Sequence, residues 1–252
     1  MKNPIFPMIP SATRLAASLL LTALFTAASP AHAGLGEGLS AYDRAEYATA
    51  LKELTPLAEA GNAKAQYRLG KILNLGQGVP PNKKEAARWL HLAAEQGLAE
   101  AQGALGYLCL VGEGVSQNND LALKWTRKAA EQGDAAAQFN LSVMHGEKFG
   151  IRKNSAESLK WLRKAADQRH LEALNALGAL YEKGSAGVKQ NPVLAYVLLD
   201  AAAEKGDPAA AAKRKALEKN MSAKDIQAGT ELARKWKPGT RLAQVPGSRA
   251  NF

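Results

Sequence analysis

The sequence has a single cysteine, Cys109, among its 252 residues. A chain with one cysteine cannot form an internal disulfide, so packing must hold its fold together. Long apolar runs are also rare. The sequence has one extended apolar run, at residues 15–28. No later segment is apolar for long enough to cross a membrane as a helix.

The apolar run at 15–28 has the features of a secretory signal peptide. Lys2 and Arg14 precede it, and the small-residue motif Ala-His-Ala follows at 31–33. A basic start, a short apolar segment and a small-residue site are typical of a leader that is removed on export. We expect cleavage after Ala33 and a periplasmic or secreted product. An uncleaved N-terminal anchor is the alternative.

Motifs of common enzymes and metal sites are absent as well. The sequence contains no P-loop, no G-x-S-x-G and no zinc or calcium motif. The histidines after residue 33 have no metal-ligand partner at a helical spacing; they are His91, His145 and His170. We therefore predict no cofactor, no metal and no catalytic residue.

One nine-residue pattern, in contrast, occurs three times at a spacing of 36 residues. It reads WLHLAAEQG at 89–97, WTRKAAEQG at 125–133 and WLRKAADQR at 161–169. A fixed period that recurs at many positions is the signature of stacked repeats. A similar period links two further series, namely Ala65, Ala101, Ala137 and Ala173, and Asn82, Asn118, Asn154 and Asn191.

Each repeat resolves into two helices. In the first repeat the apolar spacing predicts helix A over about 63–75 and helix B over about 83–96. Asn82 is placed to cap helix B, and Gly76 and Gly97 are placed to end the two helices. A single pair cannot bury its apolar face, so neighbouring pairs must share one elongated core. The predicted fold is an all-α solenoid of stacked antiparallel helix pairs.

These motifs resemble the Sel1-like repeat family, a branch of the tetratricopeptide superfamily. The resemblance covers 63–207 as four units. It implies a right-handed superhelix in which the first helix of each pair lines a concave groove. In the first unit the matching residues are Ala65-Gln66, Leu69-Gly70, Gly76 through Val79, and Trp89 through Gly97.

The resemblance also divides the chain into segments. We expect a signal peptide at 1–33, an N-terminal capping half-repeat at 34–62, four repeats at 63–207, C-terminal capping helices at 208–237 and a disordered tail at 238–252.

Three positions depart from a regular pattern. Arg169 replaces the closing glycine of the third unit, and we expect it to strain or reshape that turn. Leu174 replaces the glutamine of the Ala-Gln pair in the fourth unit. Pro56 lies inside the predicted helix of the half-repeat and should bend or break it.

Cys109 and His145 occupy the same position in neighbouring repeats. A cysteine and a histidine within hydrogen-bond reach would form a nucleophile pair. Equivalent positions in stacked layers are about 8–10 Å apart, which is too far, and the family has an aromatic residue here. We therefore expect both side chains to serve packing. An enzyme acting on the cell wall or on β-lactams is the least favoured function, because this chain lacks the cysteines of the family members linked to such roles.

Residues of helix A that the packing does not need are the candidates for partner binding. We select Arg68, Lys71, Tyr107 and Asn140 as contacts in the groove, since arginine and tyrosine are favoured at binding hot spots. The resemblance implies a non-catalytic adaptor or scaffold in the bacterial envelope that holds a protein or peptide in the groove. A periplasmic immunity protein that neutralises a delivered toxin is the alternative.

Positive charge is concentrated at the C-terminal end. Residues 34–212 carry 21 basic and 20 acidic side chains, whereas 213–252 carry 10 basic and 3 acidic ones. A basic segment attracts anionic surfaces, acidic proteins or nucleic acid, and export makes nucleic acid the least favoured of these. We expect a monomer whose basic C-terminal segment is a solvated helical surface. Peripheral contact of this segment with an anionic surface is the alternative.

Overall fold

The computed structural model describes residues 30–146, 154–237 and 240–246. Within these residues the secondary structure is helical, with no strand. None of the helices described is both long and apolar enough to cross a membrane. In chain order the helices are α1 (Pro30–Asp43), α2 (Tyr47–Glu59), α3 (Ala63–Leu75), α4 (Lys83–Glu95), α5 (Ala99–Val111), α6 (Asn119–Glu131), α7 (Ala135–Gly146), α8 (Ser155–Asp167), α9 (Leu171–Lys183), α10 (Pro192–Glu204), α11 (Pro208–Glu218) and α12 (Ala223–Lys235), followed by a 3-10 turn at Leu242–Gln244.

The chain forms two compact units, Met1–Ala122 and Leu123–Phe252. In the first unit each helix from α1 to α5 packs against the next, and in the second the same holds from α7 to α10. Helices α11 and α12 both pack against α10. Short turns join the helices into antiparallel pairs, which is the layer arrangement of an α-solenoid. The right-handed superhelix stays a prediction, because it concerns both units together.

The two helices of the first repeat lie where the apolar spacing predicts them, as α3 and α4. Asn82 caps α4 through its Oδ1, which accepts a hydrogen bond from the backbone N–H of Glu85 at 3.1 Å. Asn154 and Asn191 cap α8 and α10 in the same way. Gly76 ends α3 in the left-handed conformation, with φ 68°. Repetition of the asparagine therefore reflects one capping interaction per layer.

A buried glutamine joins helix A of each of the first three repeats to the helix before it. The side-chain amide of Gln66 donates to the carbonyl of Ala58 at 3.0 Å, near the end of α2. Gln102 and Gln138 make the same bond to Ala94 and Ala130, each at 3.1 Å. The last carbonyls of a helix have no partner within the helix, so each glutamine supplies a capping donor.

A second glutamine, at the end of helix B, completes this arrangement in both units. Gln96 donates to the side-chain oxygen of Gln66 at 2.7 Å, and Gln168 donates to that of Gln138 at 2.9 Å. The side-chain oxygens of the buried Gln66 and Gln138 each accept a hydrogen bond in this way. The repeat pattern Ala-Gln and Glu-Gln-Gly follows from this polar contact between layers.

The glycine-rich turn after helix A sits directly on the preceding helix B. At Gly114, with φ 70°, a Cβ atom would overlap the backbone carbonyl of Lys83. The Lys83 ammonium in turn lies 2.8 Å from the Glu113 carboxylate. Only glycine permits this approach, so the Gly-x-Gly-Val motif marks a contact between successive repeats.

The N-terminal cap is larger than the expected half-repeat at 34–62, because α1 and α2 form a complete pair. Three glycines make α1 a weak helix by sequence, and packing compensates. A Cβ atom at Gly38 would lie 2.6 Å from the Leu54 side chain of α2. Residues 1–29 of the predicted signal peptide lie outside the described residues, and α1 begins within its last four residues.

Pro56 does not break α2, which continues to Glu59. Proline removes one backbone donor, here the one that would reach the carbonyl of Lys52. Pro56 stands in the last turn, and its own carbonyl accepts from the N–H of Ala60 at 3.0 Å. The helix is therefore not broken, because the missing bond falls where helix ends fray, and the bend at Pro56 stays a prediction.

The prediction of a disordered tail over 238–252 is wrong for residues 240–246, which pack against the second unit. We call 236–246 the C-terminal strap; within it, 238–239 lie outside the described residues. Leu242 and Val245 are buried, and the Leu242 N–H donates to the Asp167 carboxylate at 2.9 Å. The Trp236 indole N–H donates to the carbonyl of Thr240 at 2.8 Å.

Arg169, the residue in the glycine position, holds this strap. Its φ of 61° confirms the strained turn. The guanidinium lies 3.8 Å from the centre of the Trp236 ring and donates to the Trp236 carbonyl at 2.6 Å. The helix that follows this turn, α9, has Leu174 in place of the buried glutamine. The turn at Arg169, which departs from the repeat pattern, is thus the docking site of the strap.

We predict that Gln138→Glu lowers the free energy of unfolding by about 2 kcal/mol, because a carboxylate would face the Ala130 carbonyl without a donor. Urea unfolding followed by circular dichroism measures the change. Gln244→Glu, at an exposed position, should change it by less than about 0.5 kcal/mol. Equal stability of the Gln138 variant and the wild type would contradict the capping role.

We predict that Arg169→Gly releases the strap although it relieves the backbone. Left-handed backbone costs about 1–2 kcal/mol, whereas the cation–π contact and the hydrogen bond together contribute more than that. Trypsin cleavage after Arg241 should therefore become faster, as measured by mass spectrometry. Ala186→Gly, which relieves a φ of 56° at an exposed position, should not accelerate it. Unchanged cleavage in the Arg169 variant would refute the anchor.

Candidate partner-binding surface

Helices α3 and α5 of the first unit present equivalent positions to solvent. Lys71 corresponds to Tyr107, and Leu75 to Val111, because each pair is 36 residues apart. Leu75, Tyr107 and Val111 are 57%, 49% and 42% exposed, and they are the exposed large apolar side chains of the part of the chain that the structure describes. Together with Arg68, Lys71, Tyr42 and Tyr67 they form what we call the first-unit face.

Two tyrosine rings position the cations of this face. The Arg68 guanidinium lies 4.5 Å from the centre of the Tyr42 ring and 5.7 Å from that of Tyr67. The Lys71 ammonium lies 6.0 Å and 5.9 Å from the same two centres. All four distances are within the range of cation–π attraction. The two charged groups are therefore held in place before any partner arrives.

The charge of this cluster is only partly compensated. One nitrogen of the Arg68 guanidinium lies 3.8 Å from Asp43, a carboxylate that is 67% exposed. An ion pair this exposed contributes little to stability because water screens it. The exposed Lys64 adds a further positive charge on α3. This part of the first-unit face thus combines positive charge with adjacent apolar area.

The structure places the four predicted contact residues in three settings. Arg68 and Lys71 share the two tyrosine rings, so these two are brought together. Tyr107 is half exposed on α5 of the same unit. Asn140 lies on α7 of the second unit, where it is partly buried. Its role as a contact stays a prediction.

Sequence reasoning missed several residues of this face. Tyr42 was missed because α1 has no repeat periodicity that would reveal it. Leu75 and Val111 directly precede the turn glycines of their repeats, and their equivalent positions could have identified them as a pair. Tyr67 was overlooked because it lies next to the glutamine that defines the motif.

Cys109 has the properties of a packing residue. It is almost fully buried in α5, and burial raises the pKa of its thiol to about 11. A thiol with such a pKa holds very little thiolate at neutral pH, and the thiolate is the reactive form. The expectation that Cys109 serves packing agrees with this environment.

His145 is buried in α7 beside a cation. Its Nε2 lies 3.4 Å from the Arg127 guanidinium, and burial and this positive charge lower the pKa of the imidazole. The imidazole is therefore neutral and packs in the interior of the second unit. Among the described residues, no group of three or more histidine, cysteine or acidic side chains could hold a metal ion.

Comparisons with known proteins agree with this architecture. The family model described as "Sel1 repeat" matches residues 63–98, 99–134, 135–170 and 171–207, the range in which the sequence predicts four units. No protein with a curated description matches the chain.

Three solved structures are similar to the chain. A Sel1 repeat protein from Oxalobacter formigenes has 37% sequence identity and a TM-score of 0.61, over 70% of each chain. A Sel1 repeat protein from Klebsiella pneumoniae shares the fold, with 15% identity and a TM-score of 0.52, over 76% of this chain and 97% of that one.

The third is a protective antigen of uropathogenic Escherichia coli strains with an SLR fold. It has 28% identity and a TM-score of 0.47, and the match covers 82% of this chain and 52% of the antigen. Four consecutive family repeats and the likeness to the Oxalobacter protein establish that the chain belongs to the Sel1 repeat family.

Proposed function

We propose that this protein is a non-catalytic adaptor of the bacterial envelope, which binds a protein or peptide through the first-unit face. Sel1 repeats generally mediate protein–protein interactions. The predicted signal peptide supports an exported product, either periplasmic or secreted.

One observation carries the choice of surface. The exposed large apolar side chains of the described chain are all in this face, on the first helices of two successive repeats. Scattered single apolar residues are normal on a protein surface, whereas a group of them marks an interaction site. Elsewhere in the part of the array that the structure describes, no large apolar side chain is exposed to offer a partner comparable area.

The arrangement of the face supports a peptide or an extended segment as the partner. Tyrosine and arginine are enriched where binding energy is concentrated. Arg68 and Lys71 are held by two tyrosine rings, so binding loses less side-chain freedom than it would for free cations. Leu75 and Val111 continue the contact area along the equivalent ends of α3 and α5.

Two further features complete the proposal. We expect the protein to act as a monomer, in which the first-unit face is free for its partner. The basic C-terminal segment provides a second contact, with an anionic surface of the envelope. An adaptor built in this way would bind a partner with one unit and remain near the envelope with the other.

We predict that Leu75→Ser, Tyr107→Ser and Val111→Ser together abolish partner capture without unfolding the chain, because all three side chains are exposed. The tagged full-length protein is crosslinked in cells of its source organism, purified and analysed by mass spectrometry. The dominant protein captured by the wild type should fall at least tenfold with the triple variant.

A matched control changes exposed positions on second helices of the repeats, with Lys84→Ser, Lys124→Ser and Glu131→Ser. Capture should persist in this control, and circular dichroism should show both variants folded. Equal capture by the wild type and the first triple variant would reject the first-unit face. Capture of a toxin as the dominant partner would favour the immunity protein over the adaptor.

The predicted export is checked on the same material. Mass spectrometry of the purified protein should give Gly34 as its first residue. A product that keeps residues 1–33 would contradict the cleaved leader.

A further inference from the structure

The two C-terminal helices bury one face and expose a basic one. Leu217 of α11 and Leu232 of α12 are buried in the core of the second unit, as is Trp236 at the end of α12. The apolar side of this segment is therefore used inside the protein. The exposed basic side chains of the segment are Lys213, Lys215, Lys219, Lys224, Arg234, Lys235, Lys237 and Arg241.

The few acidic groups of this segment are held by neighbours of their own. Glu218 lies 3.4 Å from the Arg214 guanidinium, and Arg214 also pairs with Asp200. Asp225 accepts a hydrogen bond from the Ser222 hydroxyl at 2.8 Å in the cap of α12. The third acidic group, Glu231, is exposed on α12, where the Gln227 amide donates to it at 3.2 Å, so it offsets one positive charge of this surface. The exposed basic side chains still outnumber the acidic ones, and the segment 213–252 has a net charge of +7.

This surface is built for a diffuse anionic partner and not for a protein. Lysine is depleted in the centres of protein interfaces, where aromatic and apolar anchors concentrate. The exposed large apolar side chains of the described residues lie in the first unit, so the C-terminal helices offer no such anchor. Several lysines and arginines on helical surfaces are typical of segments that adsorb to anionic lipid headgroups.

We propose that the outward faces of α11 and α12 bind the headgroup layer of a bilayer that contains anionic phospholipid. The inference rests on the envelope location proposed above, which brings these helices near such a bilayer. Binding is peripheral, because the apolar faces of both helices are already buried against α10. The strap contributes by holding Lys237 and Arg241 on the same unit through Trp236 and Leu242.

The purified exported protein is tested by co-sedimentation with two kinds of vesicle. One contains phosphatidylcholine alone, and the other contains phosphatidylcholine with 30% phosphatidylglycerol. We expect binding to the second kind at about 0.1 M salt and loss of that binding at about 1 M salt, where the Debye length falls to about 3 Å. Binding to both kinds of vesicle alike, or to neither, would overturn the proposal.

Two variants with the same net charge distinguish binding by this local surface from an effect of the overall charge of the protein. The first carries Lys215→Gln, Lys219→Gln, Lys224→Gln and Lys235→Gln, and its partition onto anionic vesicles should fall at least tenfold. The second carries Lys52→Gln, Lys84→Gln, Lys124→Gln and Lys189→Gln, and its partition should fall less than threefold. Equal losses would show that overall charge, and not α11 and α12, causes adsorption.

Nucleic acid is tested as the competing polyanion. A 30-base-pair DNA duplex, added at the phosphate concentration of the anionic lipid, should leave most of the protein on the vesicles. Displacement of most of the protein by this duplex would overturn the assignment to lipid. Failure of lipid binding can be told apart from failure of the adaptor function. Partner capture by the first-unit face is measured with variants that keep the lysines of α11 and α12.

Discussion

The fold depends on how each helix pair satisfies the carbonyl groups at the end of the pair before it. A helix ends with carbonyls that have no partner within the helix, and in a stack of layers these ends come close to the next helix. A buried glutamine amide supplies the donor at Ala58, Ala94 and Ala130. Because a buried polar group is stabilising only when it is fully bonded, the second glutamine of the motif is needed as well. The 36-residue period is the spacing at which this contact recurs.

The junction between α8 and α9 lacks this glutamine contact. Leu174 replaces the buried glutamine there, and Lys205 stands where the other repeats have the second glutamine, so both partners change together. Arg169 adopts the left-handed backbone that glycine adopts at the other junctions and binds Trp236. The strain of that conformation is offset by the contact with the strap. The C-terminal strap therefore attaches at the position where the repeat departs from its regular pattern.

The sequence was a reliable guide where interactions are local and repeated. Helix limits, asparagine caps and turn glycines follow from residues only a few positions apart, as with Asn82 and Glu85. It was a poor guide where one partner lies far along the chain. The strap has the proline and glycine content of a tail, and its contacts with Asp167 and Arg169 span about 70 residues. Likewise α1 is glycine-rich and is held as a helix by its packing on α2.

In the first-unit face Arg68, Lys71 and Tyr107 could be chosen from their positions in the repeat, whereas the tyrosines that position the cations could not.

The two units differ in the surfaces that they offer. The first exposes apolar and cationic side chains suited to a protein segment, and the second exposes a basic surface suited to anionic lipid. The most direct measurement is site-specific photo-crosslinking in living cells, with a benzophenone amino acid at position 107 or, as a control, at position 124. The account predicts one discrete protein adduct at 107 and none at 124. Adducts that are absent at 107, or that form equally at both positions, would contradict it.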